Sequence, residues 1–319
     1  MKGRGTYFAL VGTLVGIVAL ASLPSLLAPE PRKAAVRAPQ RPVEAPTAVA
    51  TASATPEPPK PVERLLRAYT SLFKTAEKDE RVHNITLGAQ KLDGAVLEPG
   101  QEWSFNATVG PRTKATGFKD APTLLMGEVL PGMGGGMCQV SSTVHAAALL
   151  AGVDIVKRQP HSRPSSYIPR GLDATVSSPD HCWEGRQDPN TCFDLRLRNP
   201  YDFPITIKTL VHEPVKPTEE PKRALTVELR GIGPVAQVEP KWKLYATPPF
   251  EKRTRRTWRK GEWKKRKQNG RNGVNGGLTL TITWPDGRKE QRVIYSRYKP
   301  VDEVWWVGKD WPKDQDPWE

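Results

Sequence analysis

Gly132-Met133-Gly134-Gly135-Gly136-Met137-Cys138-Gln139-Val140-Ser141-Ser142-Thr143 is the stretch from which the fold is read. Three glycines run into a cysteine, and an apolar-periodic segment follows at once. Val140, Val144, Ala147, Ala148 and Ala151 recur at helical spacing, and Gly152 stands where such a helix would stop. The pattern predicts a short helix with Cys138 in its first turn, entered through backbone conformations that glycine adopts freely. Unpaired N–H groups and the positive end of the helix dipole favour a thiolate over a thiol there. The same backbone, at Gly135 and Gly136, offers N–H groups to a developing oxyanion. The plainer alternative is a buried structural cysteine beside a glycine-rich turn.

The rest of the chain bears on that choice. Met1-Lys2-Gly3-Arg4 is short and positive, and Thr6 to Ala28 then runs without a charge. A span of about 20 apolar residues crosses a bilayer, so residues 1–28 are expected to be a signal anchor. Ala19-Leu20-Ala21 also fits a cleavage site, which would make the segment a signal peptide and the protein secreted. In either case the remaining domains are expected outside the cytoplasm, in the cell envelope. An exported chain with three cysteines has one left over. Cys182 and Cys192 lie in a polar, turn-rich stretch and are the natural disulfide partners, leaving Cys138 as a free thiol.

Residues 29–61 are rich in Pro, Ala, Thr and Val and read as an extended linker, with a reach of at most roughly 100 Å at ~3.1 Å per residue. Folded structure is expected from Val62. Leu65, Leu66, Tyr69, Leu72 and Phe73 suggest an amphipathic helix, and short segments follow at 85–91 and 95–97. Strands are expected at Trp103 to Phe105, Thr123 to Val129 and Val153 to Arg158. Tyr167, 173–177, 193–198 and 205–211 continue a β-rich pattern. Residues 62–235 therefore read as one α+β domain. Residues 240–310 read as a small all-β module, with alternating strands at 279–283 and 292–298 around a Trp284-Pro285-Asp286-Gly287 turn; 311–319 is a tail.

The charge is uneven. The net charge is +14, and Lys252 to Lys267 holds ten Lys or Arg against one Glu, with Trp258 and Trp263 interleaved. Such a segment is either a solvated hairpin or a surface for an anionic cell-wall polymer. Nucleic acid is not the expected partner of an exported chain. No lysine follows the glycines as a phosphate-binding loop requires, no dinucleotide fingerprint opens a helix, and no ligand cluster has zinc spacing. Neither metal nor cofactor is expected.

Residues 81–211 resemble the VanW family. The motifs are Arg81-Val82-His83-Asn84-Ile85, Trp103-Ser104-Phe105-Asn106, Gly110-Pro111-Arg112-Thr113, Gly117-Phe118 and Ala121-Pro122, then the Gly134 to Thr143 run. His161-Ser162, Asp173-Ala174-Thr175-Val176 and Asp194-Leu195-Arg196 complete them. Residues 241–308 resemble, more weakly, a G5 module through Gly276-Gly277, Asp286-Gly287 and Tyr298-Lys299-Pro300-Val301. The VanW resemblance implies a β-rich catalytic domain and an L,D-transpeptidase that cross-links peptidoglycan stem peptides through a cysteine acyl-enzyme. A cysteine peptidase on the same stems and a non-catalytic wall-binding protein are the alternatives.

On this reading Cys138 is the nucleophile. His145 lies about 10 Å further along the same helix at 1.5 Å per residue, too far to serve it, and the family usually has an aromatic there. His161, after a strand that can return beside the helix start, is the expected base, with Asp173 orienting it or else capping a turn. Arg112 is expected either to clamp a substrate carboxylate or to pair with Asp173 or Asp194. Gln139 joins Gly135 and Gly136 as an expected substrate or oxyanion contact. Ser141 and Ser142 read as helix-surface or local hydrogen-bonding residues rather than nucleophiles, and His83, His181 and His212 as structural.

Overall fold

The computed structural model describes residues 62–74, 79–125, 128–179, 192–213 and 222–318, all within one compact unit. The chain begins with strand β1 (Arg64–Lys74), helix α1 (Asp79–Leu92), short strands β2 (Val96–Leu97) and β3 (Glu102–Ser104), and helix α2 (Phe105–Val109). Strands β4 (Asp120–Leu125) and β5 (Glu128–Met133) form a hairpin that delivers the chain into helix α3 (Met137–Leu150). Then come β6 (Asp154–Lys157), β7 (Arg196–Arg198), β8 (Ile205–His212) and β9 (Lys222–Gly231). The last part is all strand: β10 (Gln237–Ala246), β11 (Lys252–Arg256), β12 (Lys264–Gln268), β13 (Val274–Thr283), β14 (Lys289–Tyr298) and β15 (Glu303–Val307). The molecule is β-rich with few helices.

Helix α3 is the centre of the packing. Met137 and every residue from Gln139 to Leu149 are buried. Its polar members Gln139, Ser141, Ser142, Thr143 and His145 all find hydrogen-bond partners, and the helix contacts β1, β9, α1, β10 and β6. Small side chains permit it: Ala146, Ala147 and Ala148 are fully buried. A Cβ at Gly88 of α1 would sit 2.6 Å from the Met137 sulfur, so glycine is what lets these helices approach. The covering sheet runs β1-β9-β8-β2, and a second runs β3-β7-β6. Leu278, Leu280 and Ile282 of β13, with Trp284, join the same core as Val140, Val144 and Leu195. Each fully buried aliphatic contributes roughly 1.5–3 kcal/mol, so the C-terminal strands are part of what stabilises the helix region.

Three local expectations are corrected. The segment around Leu65 to Phe73 is strand β1, not a helix. Its exposure alternates from Arg67 to Phe73, and it pairs antiparallel with β9 from Arg64↔Gly231 to Lys74↔Lys222. That long-range ladder outweighs the local apolar spacing. The single strand expected at Thr123 to Val129 is the two arms of a hairpin, with Asp120 opposite Met133 and Leu125 opposite Glu128. Tyr167 and Asp173 to Ser177 are irregular rather than β, because their backbone bonds go elsewhere. Ala174 N–H donates to Ser142 Oγ (2.9 Å), Thr175 N–H to the Gln159 carbonyl (2.7 Å) and Ser177 N–H to the Phe193 carbonyl (2.9 Å).

Strands β13 and β14 pair through the expected turn, from Val274↔Tyr298 to Thr283↔Lys289. The expected anchor and linker over residues 1–61 lie outside the described residues. Among the described residues no helix is long and apolar enough to cross a membrane.

Candidate active site

The glycine run forms a tight turn between β5 and α3. Gly134 and Gly136 have φ of 73° and 111°, which side-chain-bearing residues rarely adopt. Gly135 is required for another reason: a Cβ there would lie 2.6 Å from the Ala121 carbonyl oxygen. Asn84 of α1 pins the turn. Its Nδ2 donates to the carbonyls of Gly135 (3.1 Å) and Lys119 (2.9 Å), and its Oδ1 accepts from the Lys119 N–H (2.9 Å).

Cys138 is the second residue of α3 and is partly exposed, its Sγ 3.5 Å from the Val176 carbonyl oxygen. The Gln139 N–H turns back to the Gly136 carbonyl at 2.9 Å. The Cys138 N–H has no acceptor among the described residues. It is a free donor beside the sulfur, at the positive end of the helix.

His161 and Asp173 meet at this point. The Asp173 Oδ2 accepts from His161 Nδ1 (2.8 Å) and from the His161 backbone N–H (2.7 Å). With Nδ1 committed, Nε2 is the nitrogen left for the thiol, and Tyr167 Oη lies 3.1 Å from it. Burial alone would push the Cys138 thiol up, but the neighbouring His161, then the Val176 backbone and Arg112, outweigh it and hold the thiol below its usual value. Burial would also disfavour His161 as a cation; its hydrogen bond to Asp173 and the neighbouring Cys138 prevail and raise it to about 9. Asp173 is likewise burdened by burial, yet His161 and Arg158 keep it far below the ordinary carboxylate range. Both shifts favour the thiolate–imidazolium form of the pair, with a carboxylate behind.

That carboxylate is saturated. Its Oδ1 accepts from Arg158 Nη2 (2.8 Å) and from the Tyr298 hydroxyl (2.6 Å), while Arg158 Nε donates to the Asp173 carbonyl (2.6 Å). Arg158 also reaches Ser296 Oγ of β14 at 2.8 Å, and the Tyr298 hydroxyl accepts from the Gly171 N–H at 2.8 Å. Tyr298, fully buried, is the last residue of β14. The C-terminal strands therefore supply direct partners to the aspartate. Burial first, then Asp173, raises the Tyr298 phenol to about 12, so it stays a donor.

Other expected residues take different places. Gln139 is buried with its side chain turned to β1: Nε2 donates to Ser71 Oγ (3.1 Å) and the Leu72 carbonyl (3.2 Å), and Oε1 accepts from Arg81 (2.9 Å). Arg112 is 3% exposed; it donates to the Ser177 carbonyl and to Asn106 Oδ1 (2.7 Å), and its charge acts on Cys138. Asp194 accepts from Ser104 Oγ, the Asn106 N–H and Arg196. Ser141 and Ser142 both donate to the carbonyls of Ala174 and Cys138, stitching α3 to the Asp173 segment. His145 is buried, bonded through Nδ1 to the Leu172 carbonyl (2.8 Å), and lowered to about 4 by burial and then by Arg158. His83 bonds the Gly117 carbonyl and His212 bonds Thr226 Oγ1; His181 lies outside the described residues. Cys192 is disulfide-bonded and Cys138 is free, while Cys182 lies outside the described residues.

Sequence reasoning missed Arg158, Tyr167 and Tyr298. An arginine and a tyrosine at the ends of strands and a tyrosine in a turn-rich stretch carry no local mark of this cluster. Among the described residues no three His, Cys, Asp or Glu side chains converge as metal ligands would. What the site can do chemically is present a thiol whose ionisation is favoured, a proton carrier and an N–H donor around one reacting carbonyl.

Residues 80–216 match the family described as VanW like protein. Over 143 residues the chain is 43% identical to the uncharacterized protein YoaR of Bacillus subtilis (strain 168), covering 45% of this chain and 43% of that protein. Over 135 residues it is 32% identical to the vancomycin B-type resistance protein VanW of Enterococcus faecalis (strain ATCC 700802 / V583), covering 41% of this chain and 45% of that one. The chain thus matches less than half the length of either relative.

Proposed function

We propose, from the match of residues 80–216 to the VanW family, that this protein is an envelope acyltransferase, a cysteine L,D-transpeptidase acting on peptidoglycan stem peptides. The observation that carries the reading is the Cys138–His161–Asp173 alignment at the start of a buried helix. The name of the enterococcal relative, a vancomycin resistance protein, supports a cell-wall setting. The uncharged run from Thr6 to Ala28 supports placing the site outside the cytoplasm.

In the proposed reaction the Cys138 thiolate adds to the stem carbonyl that precedes a terminal D-Ala. The Cys138 N–H, with the neighbouring glycine backbone, donates to the oxyanion. His161 gives its Nε2 proton to the leaving D-Ala amine as the C–N bond breaks, and a thioester remains. A second stem's amine then attacks the thioester and passes a proton to His161. The new amide forms, and the C–S bond breaks to restore the thiolate. Asp173 holds Nδ1–H and stabilises the imidazolium throughout.

The test is incubation of the protein and its Cys138→Ala variant with muropeptides bearing tetrapeptide stems, read by mass spectrometry. Cys138-dependent dimers lacking a terminal D-Ala are expected, with at least a ~10³-fold loss in the variant. Shortened stems without dimers would make the acceptor water and the protein a peptidase. No product from any stem type with folded protein would leave a wall-binding scaffold and overturn the enzyme reading.

A further inference from the structure

The sheet ordered β11-β15-β12 takes no part in the chemistry above. Its register sets Arg255, Trp306 and Lys265 in one row across the three strands, hence on one face. Lys267, two residues beyond Lys265, joins that face with its Nζ 4.4 Å from the centre of the Trp306 ring. Every residue of β11 is exposed, as are Lys264 to Lys267 of β12, and Trp306 is 37% exposed. Arg253 of β11 is occupied by Asp302 (2.7 Å) and Glu251 (3.0 Å), and Arg266 of β12 approaches Glu303 (3.8 Å). Arg255, Lys265 and Lys267 form no ion pair with a carboxylate among the described residues.

Arg255, Lys265 and Lys267 repel one another, and the carboxylates beside this face among the described residues, Asp302 and Glu251, are taken up by Arg253. An external anion offsets that repulsion. Lys267 is the unpaired residue of a bulge between Arg266 and Gln268, and Arg255 and Lys265 are about 10 Å apart across two strand spacings. We propose that this face binds a linear anionic surface polymer carrying repeated phosphate or carboxylate groups. Arg255, Lys265 and Lys267 meet successive charges, and Trp306 fixes the position of Lys267 between them. Single-stranded nucleic acid is disfavoured by the same geometry, because it is held on successive aromatic platforms and this face carries one exposed ring. The proposal does not depend on the catalytic reading.

The test is binding of the full chain to fluorescent poly(glycerol phosphate), polygalacturonate, neutral dextran and a 20-nucleotide single-stranded DNA. Binding to one or both anionic polymers, none to dextran, and a log–log salt slope of about −2 for three contacts are expected. The arm that binds more tightly identifies phosphate or carboxylate as the preferred charge. Replacing Arg255, Lys265 and Lys267 together by Gln should weaken binding at least about tenfold with an unchanged melting temperature. Lys91→Gln, an exposed lysine on α1, should leave binding as it is. Equal binding by the triple variant, equal loss in Lys91→Gln, or tighter binding of the DNA than of either polymer would each overturn the proposal.

Discussion

The cluster around Asp173 and the outer sheet of β11, β15 and β12 are both rich in charge, but they handle it in opposite ways. In the interior, Asp173 is 1% exposed and each oxygen accepts two hydrogen bonds, from Arg158 and Tyr298 on one side and twice from His161 on the other. On the outer sheet, Arg255 and Lys265 stand in water beside an exposed indole. Burying a charge costs several kcal/mol unless fixed partners answer it, so an interior constellation this complete reports on local chemistry. An exposed cation costs little to place and reports instead on the field presented to a partner.

The contrast can be broken from the inside first. Asp173→Asn keeps the shape but removes the charge that holds His161 protonated, and a fall of about 10⁴ in kcat is expected, read in the muropeptide assay. Thiol alkylation measured against pH should then lose its plateau at low pH, since the imidazolium that keeps Cys138 ionised is no longer supported. Arg158→Ala strands a buried carboxylate and should cost about 3–5 kcal/mol in denaturant unfolding. Arg253→Ala breaks an ion pair at a similar distance, but with the arginine side chain 62% exposed, and should cost under about 1 kcal/mol. Equal effects at the two sites would erase the distinction.

Titration sharpens the same comparison. The folded value of His161, about 9, lies above its unfolded value of about 6.5. Its contribution to stability is therefore fully present below about pH 6.5 and is lost as pH rises through about 9. Asp173 has the opposite sign: it contributes above about pH 4 and loses that contribution as pH falls through its depressed folded value. Melting temperature should decline on approaching pH 9, and in Cys138→Ala the decline should start at lower pH, because one of the two partners that raise His161 is gone. Among changes inside the cluster the smallest effect is expected for Tyr298→Phe, which removes the hydrogen bond to Asp173 and the acceptor of the Gly171 N–H, at about 1–2 kcal/mol. Its pH–rate profile should narrow, a change that a merely structural tyrosine would not produce.

The sequence made part of this legible. The glycine run and the periodicity after it are local signals, and they pointed to α3 and to Cys138 in its first turn. His161 was placed by a strand expected to return beside that helix, and strand β6 does precede it. Strand β1 was misread because its apolar spacing fits a helix, whereas its partner β9 lies some 150 residues away and enters no local window. Arg158 and Tyr298 were invisible for the same reason: their roles arise where an irregular segment meets a distant strand. Gln139 sat next to Cys138 in sequence, yet in a helix adjacent residues point about 100° apart, and its side chain is committed to β1.

The Tyr298–Asp173 bond spans 125 residues and so also sets an order in time. A chain that emerges from its N-terminus presents Cys138, His161 and Asp173 well before residue 298 exists to join them. At synthesis rates of roughly 5–20 residues per second, that interval is roughly 6–25 s. The surroundings of Cys138 are thus completed only once residue 298 has been made, after the earliest half-folded stages have passed.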